Sequence, residues 1–305
     1  MIMVQDLAYV RLAAPDLDDM GKFVTAFGLV VTAREEDTLY ARGTDPAPYA
    51  HVTERGEPAL RGVAFEAASA DDLAAAAQQE GASPLEKIEA PGGGHRVCFT
   101  DPDGYAIEVV HGRELLTPLP VRSAAPLNRG SDRVRLGSLQ RLPAGPSCVK
   151  RIGHVGLHVT DFRRSEAWYK SRFGFLSSDE IYVGDPQNVL AGFLRCDLGD
   201  VHVDHHTLVC VGSGRIGLDH VAYEVEDFDA VMLGHDHLSG TGYEHRMGVG
   251  RHILGSQVFD YWNDPWGQMH EHFTDGDLLD AHVETQSHEP GTALGSQWGA
   301  AIEPA

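Results

Sequence analysis

The chain repeats one plan four times, and that repeat limits the folds open to it more than any composition does. Each segment offers a strand, a polar break, a helix and then further strands with turns between them. The segments run over about 7–52, 60–112, 152–211 and 217–274. LAYVRLAAPDLDDMGKFVTAFGLV aligns with GHVGLHVTDFRRSEAWYKSRFGFL, both with Asp after the strand and Phe-Gly after the helix. RGVAFEAASADDLAAA aligns with DHVAYEVEDFDAVM, and VCFTDPDGYAIEVV with DYWNDPWGQMHEHF. The last pair shares Asp-Pro, Gly and Glu at equal spacing. Two modules to a half and two halves make an α+β chain of four βαβββ units paired into two domains.

At 305 residues the chain has room for two domains of ordinary size. Its 45 acidic and 24 basic residues leave a formal charge of −21. That balance argues against nucleic acid or an anionic membrane surface as partner, since both call for clustered Lys and Arg. No run of about 18 apolar residues occurs, and MIMVQDLAYV lacks the basic and apolar regions of a secretion signal. The four cysteines have neither CxxC spacing nor the density of a disulfide framework, so reduced thiols and a cytoplasmic location are expected. Histidine is the outlier, at 17 residues crowded into the second half.

Strand alternation sets which side chains share a face. In the third module His154, Gly156 and His158 face one way and Val155, Leu157 and Val159 the other. A helix is expected from Thr160 or Asp161, with Phe162, Trp168, Tyr169 and Phe173 on its apolar side and Gly174 as its stop. Near the C-terminus, Asn-Asp-Pro-Trp-Gly reads as a turn between SQVFDYW and QMHEHF, which puts Tyr261 and Glu271 on the two arms of one hairpin. Residues 1–112 then form an N-terminal domain, 113–150 an aperiodic connection and 151–276 a C-terminal domain. Residues 277–305 form a polar tail near the site, in which only Trp298 looks able to anchor. This plan resembles the vicinal oxygen chelate superfamily, the glyoxalase/bleomycin resistance-like fold, whose paired modules curl their sheets around a metal.

Three candidates stand at module-equivalent strand positions: His154 on the first strand of module three, His220 on that of module four, and Glu271 on the last strand of module four. Two imidazoles and a carboxylate with other positions open form the facial triad of non-haem Fe(II) oxygenases. Zinc more often takes a fourth protein ligand or cysteine. The repeat supplies a control, because module one has Tyr9 in place of His154 and module two has Gly62 in place of His220. Only Glu271 has its counterpart, Glu108. The first half therefore reads as a metal-less duplicate.

With these residues the chain resembles the two-domain type I extradiol ring-cleavage dioxygenases, which act on catechols such as dihydroxybiphenyl or homoprotocatechuate. The resemblance rests on His206 in VHVDHHTL, His252 in GVGRHILG, Tyr261 in FDYWNDP, and the triad. It implies Fe(II) at His154, His220 and Glu271, with Mn(II) accepted by the same donors. It implies a catechol-type substrate and dioxygen, a muconic semialdehyde-type product, and a homo-oligomer. By the same resemblance His206 is the general acid, Tyr261 manages the proton of a substrate hydroxyl, and His252 assists it. His205 is the rival for the acid, and alternation would set it and His206 on opposite faces. His158, His202, His235, His237, His245, His270 and His272 read as structural or surface residues, with His270 and His272 turned away from Glu271. Met269 and Phe273 share the face of Glu271, and Arg246 or Arg251 could hold a substrate carboxylate.

Three rival readings remain. A 4-hydroxyphenylpyruvate dioxygenase-like enzyme shares the triad but leaves His206, His252 and Tyr261 unexplained together. A glyoxalase-like isomerase wants a fourth protein ligand. A metal-free aromatic-binding resistance protein has no use for the triad.

Overall fold

The structure, a computed structural model, describes residues 2–124, 126–293 and 295–299. Each repeat folds as strand, helix and further strands. The first comprises β1 (Val4–Ala14), α1 (Leu17–Phe27), β2 (Val30–Arg34), β3 (Thr38–Arg42) and β4 (His51–Arg55). The second comprises β5 (Ala59–Ala67), α2 (Ala70–Ala76), β6 (Glu86–Lys87), β7 (His95–Thr100) and β8 (Ala106–His111). The third runs through β9 (Val149–Val159), α3 (Phe162–Phe173), β10 (Leu176–Tyr182), β11 (Val189–Arg195), a two-residue β12 (Val203–Asp204) and β13 (Leu208–Gly212). The fourth runs through β14 (Gly217–Val225), α4 (Phe228–Ser239), β15 (His245–His252), β16 (Val258–Asn263) and β17 (Met269–Thr274). Beyond it lie β18 (Leu278–Leu279), β19 (Gln286–His288), α5 (Pro290–Ala293) and β20 (Ser296–Gly299).

The helix ends follow local chemistry. Asp161 caps α3 by accepting a hydrogen bond from the Arg164 N–H, and Gly174 ends it in the left-handed region at φ 73°. Asp16 and Gly28 do the same for α1, so these breaks in the repeat are cap signals. The described residues of 113–148 hold no helix or strand. β9 opens at Val149, two residues inside the segment read from sequence as connection.

Within each module the first strand pairs in parallel with the last, as β1 with β4, β5 with β8, β9 with β13 and β14 with β17. Modules join through antiparallel pairing of their first strands, β1 with β5 and β9 with β14. An eight-stranded and a ten-stranded sheet result. One continuous core spans both halves. Phe23 and Phe27 of α1 pack on Tyr223, Tyr243 and His270 of the fourth module. Tyr169 and Phe173 of α3 pack in turn on Phe65 of the second. Each half therefore uses a helix of the other to cover the back of its sheet.

The tail adds edge strands. β20 pairs with β15 and β19 with β10. Trp298 packs edge-on against Phe228 and lies under the Arg251 guanidinium, which is the anchoring expected of it.

Candidate metal centre

Strand order brings the three expected ligands together. β9, β14 and β17 are adjacent at the centre of the second sheet, and Ala222 pairs with His154 on one side and Glu271 on the other. His220 lies two residues before Ala222 on the same strand, so it points from the same face. Close approach is kept open by glycine. A Cβ on Gly156 would come within 2.8 Å of the His220 ring, and one on Gly153 within 2.2 Å of Phe273.

His154 Nε2 lies 3.0 Å from His220 Nε2 and 3.0 Å from Glu271 Oε2, and His220 Nε2 is 3.6 Å from that oxygen. Donors about 2.0–2.2 Å from one ion and near right angles stand roughly 3 Å apart, so the spacing fits a facial set. Glu271 is fully buried, yet neither of its oxygens has a hydrogen bond of ordinary geometry. A buried carboxylate in that condition calls for a cation. Burial alone would raise the pKa of Glu271, but His154, His252 and His220 hold it well below the ordinary range. Burial pulls His154 down, whereas on His220 the neighbouring Asp219 carboxylate outweighs burial and raises the pKa. Those donors suit a divalent ion.

Asp219 is a residue that the strand pattern did not single out. Its Oδ2 lies 2.6 Å from His220 Nδ1, and its Oδ1 lies 3.3 Å from His158 Nε2. A carboxylate on the far nitrogen fixes the tautomer and ring angle of a ligating histidine. The Asp-His pair at the start of β14 was the available signal.

Tyr261 lies directly across the β16–β17 ladder from Glu271. Its hydroxyl is 3.0 Å from His252 Nε2, and that nitrogen is 3.7 Å from Glu271 Oε1. Burial, then Glu271 and Asp219, push the phenol well above its usual pKa, so it stays protonated. His206 packs against His154 with ring centroids 4.1 Å apart. Burial and then the surrounding imidazoles push its pKa well below the usual value, leaving it neutral. The expectation that His205 and His206 face opposite ways fails. Residues 205–207 are not in a strand, so alternation does not apply, and the two Nδ1 atoms meet at 3.0 Å. His205 Nε2 is held 2.7 Å from Asp179.

The remaining side chains sort plainly. His270 and His272 turn to the back face, where His272 stacks on Phe27 and bonds to its carbonyl at 2.6 Å. Phe273 lies 5.2 Å from the His154 ring, on the face of Glu271 as expected. Arg251 is tied to Asp275, and Arg246 pairs with Glu244.

In the first sheet the row is Tyr9, Ala64, Glu108, register for register with His154, Ala222, Glu271. There Glu108 accepts from the Tyr9 hydroxyl at 2.6 Å and is paired with Arg11 and Arg96.

With this geometry in hand, comparison with known proteins is informative. The sequence profile of the Glyoxalase/Bleomycin resistance protein/Dioxygenase superfamily matches residues 6–109 and again 151–272. The chain is 31% identical to metapyrocatechase 2 of Cupriavidus necator over 280 residues, 91% of this chain and 83% of that one. It is 26% identical to the iron-dependent extradiol dioxygenase of Rhodococcus jostii (strain RHA1), with 87% of each chain covered. Among solved structures, the Mn(II)-bound glyoxalase of Novosphingobium aromaticivorans superposes with a TM-score of 0.79 at 22% identity, over 98% of this chain and 92% of that one. That likeness speaks for the fold. The chain belongs to the Glyoxalase/Bleomycin resistance protein/Dioxygenase superfamily, and within it to the extradiol ring-cleaving dioxygenases.

Proposed function

We propose that the chain opens a catechol-type ring by extradiol (meta) cleavage, placing both atoms of dioxygen in a muconic semialdehyde-type product. The metal is Fe(II), held by His154, His220 and Glu271, and Mn(II) suits the same donors. Residues 151–276 are the catalytic half, 1–112 the half without metal, 113–150 the connection and 277–305 the tail, of which 277–293 and 295–299 are described and run beside the site, while 294 and 300–305 lie outside the described residues. The observation that carries the reading is the Tyr261–His252 pair, set beside a buried carboxylate that lacks hydrogen bonds.

When bound, the metal lowers the pKa of a catechol hydroxyl and brings ring and dioxygen together. The chain's own residues manage protons and position. Tyr261, protonated and hydrogen-bonded to His252, receives the substrate hydroxyl and passes its proton toward His252 Nε2. His206, packed against His154 and neutral at rest, takes up a proton released by the bound catechol and returns it to the reacting oxygen as general acid for bond cleavage. The glyoxalase alternative lacks its fourth ligand. The β13 residues paired with β9, Leu208 to Gly212, include no carboxylate.

Two further expectations belong to this reading. The four cysteines are free thiols, which supports a reducing, cytoplasmic location. Leu136 and Leu139 are 80% and 81% exposed on the connection, which supports a homo-oligomer that covers them.

The test is anaerobic loading with Fe(II) or Mn(II), then a panel of catechols in air, watched for yellow product and oxygen uptake. His206→Phe should keep the metal and slow turnover by roughly 10²–10⁴-fold. A loaded protein that cleaves none of the catechols overturns the reading.

A further inference from the structure

Behind β16, on the side away from Tyr261, lies a second group of metal-binding side chains. Alternation turns Tyr261 toward Glu271 and sends Asp260 to the opposite face, beside α4. Asp260 is fully buried, and its Oδ1 lies 2.8 Å from His245 Nε2 on β15 and 3.1 Å from His235 Nδ1 on α4. The two imidazole rings stand nearly perpendicular at 87° with centroids 4.9 Å apart, and the three donor atoms all lie within 4.8 Å of one another. The other carboxylate oxygen accepts from the Trp262 indole N–H at 2.6 Å, which fixes the carboxylate's orientation. Gly248 keeps Oδ1 clear, since a Cβ there would come within 2.6 Å of it. Among the described residues no Lys or Arg pairs with Asp260. A buried carboxylate without a compensating cation is costly. The His235 and His245 side chains are 25% and 32% exposed, so the group opens to solvent on one side.

We infer that His235, His245 and Asp260 form a second metal site, for a divalent ion of the zinc class with water as fourth ligand. Two imidazole nitrogens and one carboxylate oxygen are an ordinary zinc donor set. Tetrahedral donors with bonds of about 2.0–2.1 Å stand roughly 3.3 Å apart, a few tenths beyond the distances from Oδ1, so small side-chain shifts admit the ion. The ion supplies the positive charge that no Lys or Arg among the described residues gives Asp260. It clips α4 to β15 and β16, the strands that carry His252 and Tyr261. Its role is to hold those two strands in place, and it lies outside the catalytic centre.

The test is titration of metal-free protein with Co(II), whose visible bands are strong at a tetrahedral site and weak at a six-coordinate one. Wild type should bind two equivalents, one with strong bands. His154→Ala should lose the weak site and keep the strong bands. His245→Ala and His235→Gln should each lose the strong bands and keep the other equivalent. Zn(II) should raise the Tm of His154→Ala by several degrees, through preferential binding to the folded state, and leave the double variant His154→Ala/His245→Ala unmoved. Should His245→Ala fail to fold, His235→Gln decides alone, since that side chain lies on the partly exposed helix. Absence of strong bands in wild type, or their survival in His235→Gln, overturns the inference. A failure of the His154 centre to take metal would appear as loss of the weak equivalent and leave the strong bands untouched.

Discussion

Glu108 and Glu271 occupy the same register position in the two sheets, each paired with an alanine on the neighbouring first strand, Ala64 and Ala222. Their neutralisation is opposite in kind. Glu108 is paired with the fixed guanidiniums of Arg11 and Arg96, whereas around Glu271 the nearest partners are imidazoles. Glu271→Gln should therefore remove the one metal equivalent held at His154 and His220, while Glu108→Gln should leave metal content unchanged. The second change should instead lower stability by about 1–3 kcal/mol, because it weakens the partner of a buried hydrogen bond and of Arg11. Elemental analysis and thermal unfolding of both variants check this, and metal loss in Glu108→Gln would reverse the roles of the two halves.

In the proposed metal site Asp219 acts through His220, whose Nδ1 its carboxylate meets at 2.6 Å. The Asn variant keeps the shape but replaces the carboxylate on His220 Nδ1. Metal affinity should fall by roughly 10–100-fold, the usual cost of losing such a partner. Competition with a chelator measures it, and an unchanged affinity would reduce Asp219 to a partner of His158.

Tyr261→Phe retains the ring and deletes the hydroxyl that meets His252. A packing role predicts a stability change of about 1 kcal/mol and little kinetic effect. Proton management predicts a fall in kcat/KM of about 10-fold or more, a displaced pH profile and a nearly unchanged Tm. The second outcome is expected, and an unaltered pH profile would return Tyr261 to the core.

His51 reports on the packing between the halves. It is buried, bonded to the Tyr223 hydroxyl at 2.8 Å, and burial, then His270, lowers its pKa well below 6.5. The folded state thus keeps it neutral, and its contribution is fully present above the unfolded pKa of about 6.5. As pH falls below that value the unfolded chain binds a proton that the folded chain refuses, so stability drops by up to about 1.4 kcal/mol per pH unit. His51→Gln should flatten the dependence by about half a proton on average in urea unfolding between pH 7.5 and 5.5, approaching one proton at the acid end. An identical slope in the variant would mean that His51 is protonated within the fold.

The repeat, the caps and the facing of residues along strands are local properties of the chain. Alternation has a period of two and a cap needs only neighbours within a turn, so His154, His220, Glu271 and the 258–274 hairpin were legible from the letters. The Arg11 pairing with Glu108 was not, because it depends on a side chain two residues past Tyr9 reaching another strand. Strand order and register decided the rest. Placing β14 between β9 and β17 is a tertiary choice, and it alone puts Ala222 between His154 and Glu271. The pattern misled at His205–Thr207, where the chain leaves the strand and the period lapses. His235, His245 and Asp260 looked unrelated in sequence, since one lies on a helix and two on different strands. Only packing α4 on the back of β16 brings them to one point, because burial of that helix is a long-range event that no local period encodes.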